Sequence, residues 1–175
     1  MFKEIGRKLN FIILTLIVTA ILFGNEAYNY KISSELKIDS GDTAWMIVSC
    51  ALVLLMTPGL AFFYGGMVNI KSIISTMFQS FVALGVVSVV WVFIGFSLAF
   101  GESFYGIIGN PFTYLNFKDV TLNPNKDFGP TIPFLLFALF QLKFAIITPA
   151  IISGSFAERI RFRSYILFML LFTIF

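Results

Sequence analysis

Residues 131–163 read TIPFLLFALFQLKFAIITPAIISGSFAERIRFR, an apolar run that ends in a cluster of charge. Fourteen Leu, Ile and Phe residues lie between Thr131 and Ala157, and together they favour membrane insertion by about 4 to 8 kcal/mol. Lys143, near the middle of the run, opposes insertion by only about 2.5 to 3.5 kcal/mol. The run is therefore predicted to cross a bilayer as a helix.

Charge assigns the two ends of this span to opposite sides of the membrane. The span is followed within six positions by Glu158, Arg159, Arg161 and Arg163. Such an arginine excess beside a span is typical of the cytoplasmic side, so residues 158–163 are predicted to be cytoplasmic. The loop 102–130 before the span has three acids and only two lysines. With no basic excess, this loop is predicted to lie outside.

The composition of the whole chain also indicates a membrane protein. Of its 175 residues, 58% are hydrophobic and 12% are charged, and the mean hydropathy is +0.92. These values lie outside the range of ordinary soluble domains. The net charge is +3, but the basic residues stand at the ends of apolar runs. We therefore expect the lipid bilayer, and no nucleic acid, as a partner.

Residue types that usually carry catalysis or bind metals are sparse in this chain. It has no histidine, which removes the commonest metal ligand and the usual proton relay at neutral pH. Its single cysteine, Cys50, lies in an apolar run and is expected to be a packing residue. The sequence has neither a phosphate-binding loop nor a nucleophile paired with a base. We predict no enzymatic activity, no catalytic residues, no metal and no cofactor.

Residues 1–24 have the pattern of a signal peptide or a short N-terminal anchor. Three basic residues precede an apolar core at 11–23, which would cover only about 20 Å of a hydrocarbon layer about 30 Å thick. That length favours a signal peptide, whereas the lack of a clean small-x-small cleavage site before Asn25 leaves an uncleaved anchor open. In either case residues 25–42 are predicted to be an external linker.

Residues 43–175 are predicted to form one membrane domain. Its spans cover about 43–69, 72–101, 131–157 and 164–175. The fourth is too short to cross a bilayer, which indicates the front part of a longer protein. Asp42 or Thr43 is a suitable N-cap for the first span. Pro58, inside that span, predicts a kink that faces other helices.

The third span contains an aromatic pair beside two polar residues. Phe140 and Phe144 are four residues apart and therefore lie on one helix face. In a chain with 23 phenylalanines, such a pair commonly packs against its neighbours. The polar Gln141 and Lys143 lie beside the pair at membrane depth, which favours a pathway near this helix. Packing and a pathway both remain open on the residues alone.

Three segments of the chain resemble ammonium transporters of the Amt/Rh group. They are DTAWMIVSCALVLLMTPGLAFFYGGMV at 42–68, WVFIGFSLAFG at 91–101 and FQLKFAIITPAIISGSFAERIRF at 140–162. The motifs PGLAFFYGGM and FAERIRF are far more specific than a generic apolar helix. The resemblance implies an all-α membrane fold, with this chain as the N-terminal part of an eleven-helix subunit built on an inverted five-plus-five repeat.

The resemblance also implies roles for three phenylalanines. The ring matching Phe144 is one of two stacked rings that close the pore. The ring matching Phe140 helps form the outer site where ammonium rests against aromatic faces, and Phe63 matches a ring near the inner part of the pathway. Lys143 would repel ammonium if it pointed into the pore. Because it lies about 100° from Phe144 around the helix, it can face a neighbouring helix instead.

The function implied by the resemblance is a multi-pass channel or transporter that conducts ammonium or ammonia across the cell membrane. Such proteins are homotrimers, and the family's other pore residues match positions beyond residue 175, so the chain looks like an incomplete N-terminal part. An alternative is the ammonium-sensing membrane domain of a signalling protein, fused to a cytoplasmic output module. A third is an inert fragment. The sequence that follows residue 175 distinguishes these three.

Charge predicts the topology independently of the resemblance. A reporter fused after Asn116 is expected to lie outside, and one fused after Arg163 to lie in the cytoplasm, because the arginine cluster is retained on the cytoplasmic side. Alkaline phosphatase, active outside, and green fluorescent protein, fluorescent inside, measure this at both positions. The reverse pattern of activities would contradict the assignment of the spans.

Overall fold

The structure, a computed structural model, describes residues 36–104 and 106–174 of the chain. The predicted signal peptide or anchor at 1–24 lies outside the described residues, and so does most of the predicted linker at 25–42. The described part is predominantly helical.

Five α-helices form within the described part of the chain. They are α1 (Ser40–Met67), α2 (Ile73–Val90), α3 (Phe96–Phe100), α4 (Phe134–Ile152) and α5 (Phe162–Ile174). A π-helical turn, Trp91–Gly95, joins α2 to α3. Short 3₁₀ helices lie at Ile70–Ser72, Leu115–Phe117 and Ser153–Phe156.

Among residues 36–104 and 106–174, three helical stretches are long and apolar enough to cross a membrane. They are Ser40–Met67, Ile70–Phe100 and Phe134–Phe156. The helical membrane architecture expected from composition is thereby confirmed. The observed ends lie within three residues of those predicted at 43–69, 72–101 and 131–157.

The start of α1 is set by Asp39, so the prediction of Asp42 or Thr43 as the N-cap is wrong. Asp39 has an extended backbone (φ −88°, ψ 128°), and its Oδ1 accepts a hydrogen bond from the Asp42 N–H at 2.8 Å. The Thr43 hydroxyl donates to the Asp39 carbonyl oxygen at 2.7 Å. Asp42 thus lies in the first turn, where a carboxylate interacts favourably with the helix dipole. The helix then continues through Pro58 to Met67.

Between α3 and α4 the sequence predicts a loop, whereas the structure has two short antiparallel hairpins. Ser103–Phe104 (β1) pairs with Ile108–Gly109 (β2), and Pro124–Asn125 (β3) pairs with Gly129–Pro133 (β4). Strand β4 includes the first three residues of the predicted third span, so that prediction is wrong at this end. The cause is local, because a residue before proline disfavours helical angles and Pro133 itself is extended (φ −57°, ψ 132°).

Helices α1 and α4 pack together, and hydrogen bonds near their ends place start beside start and end beside end, so they run in the same direction. At the start of α1, the Asp39 N–H donates to the Thr131 carbonyl oxygen at 2.8 Å, just before α4 begins. Beyond the ends of both helices, the Asn69 N–H donates to Oε1 of Glu158 at 3.0 Å. Hydrogen bonds therefore join the two helices at both ends.

Two clusters of buried apolar side chains hold the helices together. The first comprises Val87, Trp91, Phe96, Phe134, Ala138, Leu142 and Ile146. The second comprises Ala83, Ala150, Tyr165 and Met169. Helix α2 is common to both clusters and contacts α1, α4 and α5. It therefore occupies the centre of the described part.

A close contact between Tyr64 and Gly154 joins α1 to the end of α4. The Tyr64 hydroxyl donates to the Ile151 carbonyl oxygen at 2.7 Å, and its ring lies directly over Gly154. A Cβ atom added at Gly154 would lie 2.5 Å from Cζ of that ring. Only glycine therefore allows the tyrosine to reach its acceptor.

We predict that Gly154→Ala lowers stability because the methyl group displaces the Tyr64 ring. The cost should be about 1 to 3 kcal/mol for overpacking, including the lost hydrogen bond. Gly85→Ala in α2 is the matched control, since an added Cβ there has nothing within 4 Å and alanine favours a helix. Thermal unfolding of the purified chain in detergent measures both variants. Equal melting temperatures would show that the contact is not needed.

Candidate functional site

The predicted aromatic pair, Phe140 and Phe144, lies on one face of α4. The two ring centroids are 5.1 Å apart with an angle of 72° between the ring planes, an edge-to-face arrangement. Such a pair contributes about 0.5 to 1.5 kcal/mol beyond its apolar burial. Phe140 is half-buried, and Phe144 is 41% exposed. The rings therefore contact each other and also present surface outside the described core.

The face of α4 that carries this pair differs from the face that packs in the core. Thr148 and Ile151 continue the exposed face one and two turns further along, and the Thr148 hydroxyl donates to the Phe144 carbonyl oxygen at 2.8 Å. Leu142 and Ile146, by contrast, are buried. One face of helix α4 thus packs in the core, and another face presents an aromatic surface.

Phe63 lies on α1, away from the other two phenylalanines. It is 61% exposed, and its ring contact is with Tyr64, at 5.6 Å between centroids. Tyr64 reaches the carbonyl of Ile151, which lies about 10 Å beyond Phe144 along α4 at 1.5 Å per residue. Within the described ranges no ring contact joins Phe63 to the pair on α4. The structure therefore places Phe63 at a separate level, nearer the arginine cluster.

Lys143 lies on α4 directly before Phe144 and is partly buried. No ion pair to Lys143 is present among residues 36–104 and 106–174. Because adjacent residues differ by about 100° around a helix, Lys143 leaves the helix beside the aromatic face and not on it. An orientation of its ammonium toward a neighbouring helix stays a prediction.

Two residues that contact α4 are missing from the sequence predictions. The Trp91 Nε1–H donates to the Ala138 carbonyl oxygen at 3.3 Å, and the Tyr64 hydroxyl bonds Ile151 as described above. Both are aromatic residues with a polar tip inside apolar helices. Because a buried Trp or Tyr usually finds a hydrogen-bond partner, their positions in the spans are the signal that sequence reasoning could have used.

Aromatic rings can attract a small cation but cannot carry acid–base chemistry. A cation over a ring face gains about 0.5 to 2 kcal/mol, and more as water is removed. Within the described residues, no group of three or more His, Cys, Asp or Glu side chains is placed to hold a metal ion. The chemistry that these residues support is recognition of a small ligand by apolar and aromatic surface.

Comparison with known proteins shows the family to which the chain belongs. The profile of the Ammonium Transporter Family matches residues 44–175. The chain belongs to the ammonium transporter family. It is 48% identical over 155 residues to an ammonium transporter of Aquifex aeolicus, covering 88% of the chain and 35% of the relative. It is also 49% identical over 131 residues to an ammonium transporter of Bacillus subtilis, covering 75% and 32%.

Solved structures show the same fold. The crystal structure of Saccharomyces cerevisiae Mep2 matches with a TM-score of 0.68 at 28% identity, covering 87% of the chain and 33% of that protein. Candida albicans Mep2 matches with a TM-score of 0.66 at 26% identity, covering 86% and 32%. The chain thus spans about a third of the length of the family members it matches.

The exposure of Phe144 predicts that its side chain contributes little to stability. Phe144→Ala should cost clearly less than Ile146→Ala, because Ile146 is 1% exposed whereas Phe144 is 41% exposed, and burial sets the cost of truncation. A fully buried isoleucine typically costs about 2 to 5 kcal/mol when cut to alanine. Unfolding of both variants in detergent measures the difference. A larger loss for Phe144→Ala would identify that ring as core packing.

Proposed function

We propose that this chain forms part of the conduction pathway of a transporter that moves ammonium or ammonia across the cell membrane. The observation that carries the proposal is the edge-to-face pair of Phe140 and Phe144, partly exposed on α4 of a family member. Both relatives named above are described as ammonium transporters. Nothing in the described residues favours the sensor alternative.

The three phenylalanines take different parts in this proposal. Phe140 offers a ring to an arriving cation, an attraction of about 0.5 to 2 kcal/mol that increases with desolvation. Phe144 closes the pathway behind it, because an apolar ring excludes water and hydrated ions. Phe63 lines the pathway further along, near the level at which Tyr64 joins α1 to α4.

Lys143 is compatible with cation passage in this arrangement. Lys143 leaves α4 about 100° around the helix from Phe144, so it stands beside the exposed rings and not among them. A lysine at membrane depth usually faces a bundle interior or another polar group. We infer that Lys143 serves helix packing in the complete protein and does not line the path.

The orientation and assembly of the protein are further parts of the proposal. The segment that holds the two hairpins lies outside, and residues 158–163 lie in the cytoplasm, since the arginine excess there is typical of the inner side. We infer a homotrimer for the complete protein from the resemblance to its family. Each subunit then contributes its own pathway and exposes the remaining apolar surface of α1 to lipid or to other helices.

Transport is testable in a chimera that joins residues 1–175 to the remaining two thirds of the Aquifex aeolicus relative. Phe140→Ala should weaken the apparent affinity for ammonium by at most about tenfold to thirtyfold, the equivalent of one cation–π contact. Phe144→Ala should loosen selectivity, because the ring that excludes hydrated ions is lost. Uptake of methylammonium, with ammonium and potassium as competitors, measures both effects.

Two controls distinguish a role of Phe140 and Phe144 in the pathway from a role in packing. Leu139→Ala removes a neighbouring, 36% exposed side chain and should leave the competition curves unchanged. The 175-residue chain by itself should give no uptake, because three spans cannot enclose a pore. Unchanged kinetics with less folded protein in both phenylalanine variants would show that the rings only pack, and the proposed pathway would be wrong.

A further inference from the structure

We propose that Trp91 is a positioning residue that sets the place of Phe140 and Phe144 in the pathway, an inference that rests on the function proposed above. Its indole N–H donates to the Ala138 carbonyl oxygen at 3.3 Å, a buried hydrogen bond between residues 47 positions apart. Trp91 is 7% exposed and Ala138 is fully buried. The bond therefore joins the helical stretch Ile70–Phe100 directly to the backbone of α4.

The π-helical turn is what brings Trp91 to this position together with Phe96. The Phe96 N–H donates to the Trp91 carbonyl oxygen, five residues back, as a π turn requires. In a regular α-helix, residues five apart would point about 140° away from each other. Here both are buried, and their ring centroids are 5.9 Å apart. One wide turn thus directs two aromatic residues into the same core, and such turns are frequent at functional sites.

The indole has little freedom to move. The rings of Phe96 and Phe100 lie against it at 5.9 and 6.3 Å in edge-to-face contacts. The indole is also tight against Gly95, where an added Cβ would lie 3.2 Å from Cε3 of Trp91. The tryptophan is therefore a rigid spacer between its own span and α4.

The acceptor of this hydrogen bond is close to the proposed site along α4. Ala138 precedes Phe140 by two residues and Phe144 by six, within the same unbroken helix. Further along, Tyr64 bonds the Ile151 carbonyl oxygen at 2.7 Å. The two bonds lie about 20 Å apart along the helix at 1.5 Å per residue, and the aromatic pair lies between them. Removal of the Trp91 bond should let this part of α4 shift or rotate.

Trp91→Phe in the chimera tests the transport consequence, because it keeps an aromatic ring and removes the N–H donor. Loss of one neutral hydrogen bond predicts a change of about twofold to tenfold in the apparent affinity for ammonium or in the maximal rate. If Trp91 acts through Phe144, the change should be much smaller in a Phe144→Ala background, so the two substitutions should not be additive. Full additivity would contradict the proposal.

A fluorine label tests the positioning itself without relying on transport. The label is a trifluoromethyl probe attached to Phe144→Cys, in a chimera with Cys50→Ala and its other cysteines replaced. The ¹⁹F resonance of this probe should shift or split when Trp91→Phe is added. The same label at Leu171→Cys on α5 should be unaffected. An unchanged resonance at position 144 would overturn the inference, whatever transport does. A chimera that fails to transport with Trp91 intact would instead overturn the proposed function, and the label would still decide the role of Trp91.

Discussion

In the core of a bilayer no water is available as a hydrogen-bond partner. The protein itself must therefore provide a partner for each polar group of the backbone and of the buried side chains. Side chains from two neighbouring helical spans donate to carbonyl oxygens of α4. Trp91 reaches Ala138 at 3.3 Å, and Tyr64 reaches Ile151 in the last helical turn at 2.7 Å. These two bonds add to the buried apolar clusters that hold α4 against its neighbours.

For function, the important feature of α4 is that one of its faces packs in the core whereas another is partly exposed. Its core side fits against α2 through small and branched residues, whereas Phe140, Phe144 and Thr148 face away from that core. A pathway for a small cation needs an aromatic surface that holds its position without being covered by packing. Lys143 lies about 100° around the helix from Phe144, so the residues of this face themselves carry no charge.

The length of the apolar runs and the charges beside them predict the ends of the three spans to within three residues of the observed ends. Helix periodicity alone places the two phenylalanines of α4 on one face. Features that depend on contacts between distant residues are not predictable in this way. One such contact joins the start of α1 to β4, where the Asp39 N–H donates to the Thr131 carbonyl oxygen. The π turn at Trp91–Gly95 has no local signal and becomes understandable only through its partner on α4. The proposed roles of the rings rest on the family resemblance, because the geometry of the described residues does not specify them.

The most direct measurement of the central claim is the reactivity of a cysteine on the aromatic face of α4. In the chimera, with Cys50→Ala and the other cysteines replaced, Phe140→Cys and Leu139→Cys differ by one position and about 100° around the helix. A small cationic thiol reagent added from outside should modify position 140 readily, and ammonium should slow that modification while leaving position 139 unaffected. Modification at position 140 that ammonium does not slow, or equal protection at both positions, would contradict a pathway along this face.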